Sequence, residues 1–208
     1  MLFRSLYLLP TPAGAWIASA EAAADRLRAF IRLLLAQPVS PPWRDPDDLF
    51  VRRLGQLGWV QFLAAPRRVS QAPFDDALRS YLPALSAKGY ALLADAHGFH
   101  LASSGFSDSA AEALAALSAD LASLHERHRR SLKHNLGLTG SAWAMPDAAG
   151  HSQLAFWPLH VGEHRFALVI AGVPHLNQPE LVDLVWLLHQ RYGPLASRTQ
   201  LSAGTTVG

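Results

Sequence analysis

The chain contains no cysteine, which excludes disulfide bridges and metal sites built from thiolates. Lysine is nearly absent too: Lys88 and Lys133 are the only two, so arginine supplies almost all the positive charge. No apolar run is long enough to cross a bilayer as a helix. Of the 208 residues, 50% are hydrophobic and 16% charged, a composition typical of a folded chain that buries a core.

Short motifs that carry common enzyme chemistry are missing as well. The chain has neither a Walker-type phosphate loop nor the Gly-x-Gly-x-x-Gly motif of dinucleotide sites. It also lacks the Gly-x-Ser-x-Gly motif of hydrolases, and its carboxylates are too sparse to indicate paired acid–base chemistry. We therefore predict no catalytic residue and no cofactor site, and we expect a protein that is not an enzyme.

Histidines form the only candidate for metal binding in the sequence. His125 and His128 are three residues apart in a predicted helix, and His134 follows nearby. Imidazoles at such spacing can share a metal ion. Several arginines lie among them and would repel a cation, so we interpret the segment as the solvated end of a basic helix and predict no metal site.

The N-terminal residues resemble a secretion signal, because Met1–Arg4 precede a leucine-rich stretch and Ala18-Ser19-Ala20 has the small residues of a cleavage site. However, Pro10, Pro12 and Gly14 interrupt the apolar stretch. We therefore expect a cytoplasmic protein that keeps this segment.

The most informative stretch spans residues 90–124. Tyr90–Ala94 and Phe99–Ser103 are apolar runs typical of strands, and Asp95-Ala96-His97-Gly98 between them is typical of a turn. Asp95 is the residue whose side chain caps the backbone of such a turn. The pattern predicts a β-hairpin.

A helix is predicted directly after this hairpin. It begins at Ser107-Asp108-Ser109, where Ser109 and Glu112 have the spacing of a capping box. Four leucines then repeat at intervals of three and four residues and form one apolar stripe: Leu114, Leu117, Leu121 and Leu124.

Residues 92–105 and the Ala/Leu-rich helix after them resemble the roadblock/LC7 family of small α/β modules. The shared features are an apolar strand, an Asp-x-x-Gly turn, a second strand ending in Ala-Ser and the helix itself. The resemblance covers about residues 73–193, in which three further strands and a last helix are predicted. It implies an α+β, profilin-like fold with a five-stranded antiparallel sheet flanked by helices.

The residues before this module form a smaller region that we interpret as a diverged second copy. Leu8–Ser19 and Leu92–Ser103 share one skeleton: Leu-Leu, four residues, Gly, three residues, Ala-Ser. On this basis we predict strand, turn and strand over residues 6–19 and a helix over 21–36. The alternative is coincidence, since Leu, Ala and Gly are common here. The predicted domains are residues 1–72 and 73–193, followed by a flexible tail at 194–208.

The resemblance also implies a function, because roadblock/LC7 modules are non-catalytic scaffolds. They pair through the helix after the first hairpin and the strand that follows it, here the 110–132 helix with its four leucines and the 141–145 strand with Trp143. Bacterial members commonly act with a Ras-like small GTPase. We therefore expect a bacterial regulatory protein of a signalling complex, either a homodimer or, if the repeat is genuine, an intramolecular pseudo-dimer.

One further feature of the sequence bears on the partners of this protein. The predicted helix ends in a patch for an anionic partner, consisting of Arg127, Arg129, Arg130 and Lys133. This patch lacks interleaved aromatics, so we do not expect it to bind nucleic acid.

The alternative to a scaffold is a sensory module of the PAS/GAF-like class, which would hold a small ligand between sheet and helices in a sizeable apolar pocket.

Overall fold

The computed structural model describes residues 6–23, 25–45 and 47–194, so the predicted tail from residue 195 onward lies outside it. Among these residues, no helix combines the length and the apolar character that crossing a membrane requires. They divide into two compact units. The first consists of the described residues up to Phe74, His160–Glu163 and the segment from Leu176; the second consists of Asp75–Leu159 and His164–His175.

The first unit contains a three-stranded antiparallel sheet. Its central strand is β1 (Leu6–Pro10), which pairs with β2 (Pro42–Trp43) on one side and β3 (Val60–Leu63) on the other. Four helices belong to this unit: α1 (Pro12–Ser19), α2 (Arg26–Leu35), α3 (Leu49–Gln56) and α6 (Pro179–Tyr192).

The predicted strand–turn–strand over residues 6–19 is wrong, because only its first strand forms. Thr11 caps a helix instead: its Oγ1 accepts a hydrogen bond from the backbone N–H of Gly14 at 3.1 Å, and Pro12 occupies the first helical turn. The skeleton that residues 8–19 share with residues 92–103 therefore produces a helix in one place and a hairpin in the other. The diverged-repeat interpretation loses its main argument.

Apolar packing and arginine contacts hold the first unit together. A core cluster consists of Leu8, Leu34, Val51, Leu54 and Val60. The guanidinium of Arg32 donates hydrogen bonds to the carbonyl oxygens of Ala18 and Ala22, at 2.8 and 3.0 Å, where α1 ends. A cation on the last carbonyls of a helix satisfies acceptors that the helix cannot, so Arg32 ties α2 to α1.

Helix α6 is buried on nearly all of its faces, as expected of a helix that is apolar all round. Its buried residues include Leu181, Leu184, Val185 and Leu188. Trp186 donates its indole N–H to the carbonyl of Gln37 at 2.7 Å.

The sequence placed helix α6 at the end of the predicted 73–193 domain, whereas its packing joins it to the first unit. The division at 72/73 stays a prediction, since packing units need not coincide with evolutionary domains.

The second unit contains the five-stranded antiparallel sheet, so the predicted fold class is confirmed. A short helix, α4 (Phe74–Tyr81), and a 3₁₀ turn at Leu82–Leu85 precede it. The sheet order is β5-β4-β8-β7-β6. Its strands are β4 (Ala91–Asp95), β5 (His100–Ser104), β6 (Trp143–Pro146), β7 (Ser152–Val161) and β8 (His164–Ala171), and α5 (Asp108–Leu136) connects β5 to β6.

Two hairpins of this sheet use the same Asp-x-x-Gly turn. Oδ1 of Asp95 accepts the backbone N–H groups of His97 and Phe99, both at 2.9 Å, which confirms its predicted capping role. In the β6–β7 turn, Oδ1 of Asp147 accepts the N–H groups two and four residues later, also at 2.9 Å. The bond from the backbone of His151 is the main reason that the pKa of Asp147 lies below its ordinary value.

Candidate interaction surface

Helix α5 has well-defined ends. Its N-cap is Ser107, whose Oγ accepts from the N–H of Ala110 at 3.4 Å, rather than the predicted pair of Ser109 and Glu112. At the other end Gly137 has a left-handed backbone with φ +68°, and the N–H groups of Gly137 and Leu138 both point to the carbonyl of Leu132. The 29 residues between these caps make a rod about 43 Å long at 1.5 Å per residue.

The side of α5 that lies on the sheet is made of small residues. Ala111, Ala115 and Ser118 are the residues of this helix that are buried. The two alanines join a core cluster whose sheet members are Leu92, Ala94, Phe156 and Val169. Because alanine is short, the helix axis lies close to the sheet, and the longer leucines lie beside the contact rather than under the helix.

The leucine stripe is therefore only partly used inside the unit. Leu114 and Leu121 are half-buried and pack against the core cluster, and Trp143 of β6 packs against the same cluster. Leu124 is half-buried without belonging to this cluster, and 38% of Leu117 is exposed. The structure thus brings three of the five predicted interface residues together on one cluster, and leaves Leu117 exposed and Leu124 half-buried outside it.

Strand β6 lies at one edge of the sheet. It is hydrogen-bonded to β7 in the register Trp143 to Phe156, Ala144 to Ala155 and Met145 to Leu154. Within the described chain, no strand lies on its other side. Such an edge presents backbone N–H and C=O groups that another strand can pair with. Met145 is 49% exposed here. It adds an apolar side chain to this edge that the sequence prediction did not include.

A cleft between α5 and the sheet lies beside Trp143. Its walls include Leu121 and Ser118 of the helix and Trp157 and Arg165 of the sheet. The indole Nε1 of Trp143 is buried and has no acceptor among the described residues. The cleft has a volume of about 30 Å³, whereas ligand pockets measure about 300–1,000 Å³. This cleft therefore gives the PAS/GAF-like alternative no support.

The last three turns of α5 are solvated. All four residues of the predicted anionic-partner patch, Arg127, Arg129, Arg130 and Lys133, are exposed. Arg129 pairs with Glu126 at 3.1 Å, but both side chains are 66% exposed, so the pair adds little stability. Among the described residues, the other three form no ion pair. Their charge is therefore available to a partner.

The three histidines that the sequence offers as a candidate for metal binding, His125, His128 and His134, differ in their surroundings. His125 packs edge-on against the ring of Trp143, with the centroids 6.2 Å apart, while His128 and His134 are exposed. In the described part of the chain, no three side chains of metal-binding type come together.

The contact between the first hairpin and α5 can be tested with glycine substitutions. Gly98 has φ +87°, and a Cβ atom on it would come within 3.1 Å of the Cα atom of Ala116. Gly150, in the second Asp-x-x-Gly turn, has φ +85° and nothing within 4 Å. We expect Gly150→Ala to cost about 1 kcal/mol for backbone strain and Gly98→Ala about 2–3 kcal/mol, because only the latter also pushes on α5. Equal losses in urea unfolding would contradict this contact.

Comparison with known proteins finds similar structures but no matching sequence. No protein-family model matches the chain, and no curated protein sequence matches it. MglB of Myxococcus xanthus is similar at 15% identity, covering 68% of this chain and 98% of that one with a TM-score of 0.32. A roadblock/LC7 domain from Streptomyces avermitilis is 14% identical, covering 63% and 99% with a TM-score of 0.36. The gliding protein MglB of Thermus thermophilus is 19% identical, covering 60% and 94% with a TM-score of 0.35.

Roadblock/LC7 structures are thus among those to which this chain is similar. This agrees with the resemblance that its sequence carries at residues 73–193.

Proposed function

We propose that this chain is a non-catalytic bacterial regulatory protein that acts in the cytoplasm by binding other polypeptides. Its binding surface consists of the leucine stripe of α5 (Leu114, Leu117, Leu121 and Leu124) and the edge strand β6 with Trp143. The observation that carries the proposal is that alanines, not leucines, form the buried side of α5. Exposed leucines beside an open strand edge gain free energy when a partner covers them.

The partner that best fits this surface is a second copy of the chain, giving a homodimer. A second β6 can pair with the first along the open edge, and a second leucine stripe can cover Leu117 and Leu124. The intramolecular pseudo-dimer has less support, since residues 6–19 do not repeat the first hairpin. We further propose that the dimer regulates a Ras-like small GTPase as part of a signalling complex, which the family resemblance implies.

The stripe is tested by placing charge on it. The double variant Leu117→Glu/Leu124→Glu is expected to weaken self-association at least a hundredfold, because each leucine loses about 1.5–3 kcal/mol of burial and each carboxylate must be desolvated. Molar mass in solution, measured by light scattering across a concentration series, reports the effect. Binding of a Ras-like GTPase is followed in parallel by calorimetry.

A matched control uses the same helix. Ala116 and Ser123 are exposed on α5 and lie about 80–120° around the helix from Leu117 and Leu124, so Ala116→Glu/Ser123→Glu adds the same charge and is expected to keep the wild-type mass. A monomeric wild type would disprove the homodimer. If the stripe variant kept both its mass and its GTPase binding, the proposed surface would be wrong.

A further inference from the structure

We propose that the end of α5 is a membrane-binding element that docks on anionic lipid. This element, called here the α5 overhang, comprises residues 126–138. Nothing in the proposed dimer requires it, so the two proposals are independent. The argument rests on its exposure, on the arrangement of its charges and on its leucines.

The overhang lies beyond the part of α5 that packs on the sheet. The last fully buried residue of the helix is Ser118. Within the overhang, every residue is exposed except Leu132, which is half-buried. Leu136 is 66% exposed and Leu138 is 55% exposed, although leucine favours burial. The segment is nevertheless a regular helix with a glycine cap, so it presents a rigid rod to solvent.

Two of the four basic residues of this rod lie opposite its leucines. At 100° per residue, Leu132 and Leu136 lie on one side, and Leu138 follows just past the cap. Arg127 and Arg130 lie on the opposite side and Lys133 lies at the boundary, while Arg129 lies on the side of the leucines, about 20° from Leu136, and pairs with Glu126. A helix in the plane of a membrane has this arrangement: leucines enter the boundary between headgroups and acyl chains, and long basic side chains reach the lipid phosphates.

The same features favour a membrane over other anionic partners. Nucleic acid would use the arginines but leave Leu136 and Leu138 in water, and the overhang has no Phe, Tyr or Trp on which bases could stack. A protein partner would ordinarily meet a shaped pocket or an aromatic anchor, and the overhang is a convex rod with neither. A lipid surface conforms to a convex rod and uses both its leucines and its cations.

Vesicle binding tests this proposal directly. The full chain is incubated with vesicles of phosphatidylglycerol and phosphatidylcholine in equal parts, and with vesicles of phosphatidylcholine alone, and the bound fraction is measured by sedimentation. We expect binding to the anionic vesicles only, weakening as salt is raised. The variant Arg127→Gln/Arg130→Gln/Lys133→Gln should bind at least about tenfold more weakly, since each cation near an anionic surface contributes roughly fivefold.

Two more variants test whether vesicle binding depends on the overhang or only on the net charge of the protein. Arg52, Arg53 and Arg79 are exposed arginines elsewhere, and changing all three to Gln removes the same charge but should leave binding within about twofold. Leu136→Ser/Leu138→Ser keeps every cation and should weaken binding several-fold. Circular dichroism of each variant shows that the helix persists.

Several results would overturn the proposal. One is equal binding of the wild type to neutral and anionic vesicles, or no binding to either. Another is an equal loss in the control with Arg52, Arg53 and Arg79 changed. A third is full vesicle binding by the leucine variant, which would show that the leucines do not enter the membrane. Tight binding to single-stranded RNA that the triple Gln variant abolishes, without binding to vesicles, would assign the overhang to nucleic acid instead. None of these results bears on the α5–β6 dimer, which is read from molar mass.

Discussion

Gly14→Ala is expected to destabilise the first unit by about 3–5 kcal/mol and to lower its melting temperature by roughly 10 °C. A Cβ atom at this position of α1 would overlap the carbonyl oxygen of Trp59 and lie 2.9 Å from its carbonyl carbon. That backbone cannot move aside easily, because Thr11 is bonded to it: its N–H donates to the carbonyl of Trp59 at 3.1 Å and its Oγ1 to that of Gly58 at 2.5 Å.

The informative result is that Gly14→Ala lowers the stability of the protein instead of raising it. Replacing glycine by alanine inside a helix normally stabilises it by up to about 1 kcal/mol. The control is Gly140→Ala, since no atom lies within 4 Å of Gly140 and its φ is not positive; this variant should melt with the wild type. Tryptophan fluorescence and circular dichroism during heating give both transitions. A Gly14→Ala protein as stable as the wild type would mean that α1 does not dock on residues 58–59.

Acidification is expected to destabilise the first unit through His189. This side chain is buried in α6, and neither ring nitrogen has a hydrogen-bond partner among the described residues. Burial, with a smaller contribution from the positive charge of Arg32, lowers the pKa of His189 from 6.5 to about 4.

The shift determines the direction of the pH dependence. Between about pH 6.5 and pH 4 the unfolded chain binds a proton at His189 that the folded chain does not, so stability falls as the pH falls through this window. The shift corresponds to a loss of about 3 kcal/mol, complete below pH 4. Urea unfolding at a series of pH values measures it.

A substitution isolates this contribution from those of other groups. His189→Leu cannot take up a proton, and leucine leaves no polar atom unsatisfied in the buried site, so we expect stability near that of the wild type at pH 7. At pH 4.5 the variant should be the more stable protein by about 2–3 kcal/mol. His134→Gln changes an exposed histidine and should follow the wild type at every pH. A constant difference between His189→Leu and the wild type would show that His189 does not titrate in this way.

The features that the sequence predicted correctly depend on neighbours along the chain. Asp95 and Gly98 make a turn because an Asp side chain bonds its own backbone and glycine tolerates the positive φ that follows. The leucine stripe of α5 follows from spacing alone. Local rules of this kind predicted the individual strands and helices, whereas their assembly into one five-stranded sheet was implied by the family resemblance.

The tertiary structure determined the features that the spacing of residues along the chain does not predict. Residues 8–19 match the skeleton of the first hairpin, yet Thr11 and Pro12 start a helix there, and Gly14 lets that helix touch the backbone of Trp59. Only packing shows that Ala111 and Ala115 take the buried side of α5, so that Leu117 stays exposed. Packing also joins α6 to the first unit through contacts between residues more than a hundred positions apart, which no local pattern records. It buries His189 where, among the described residues, neither ring nitrogen has a hydrogen-bond partner.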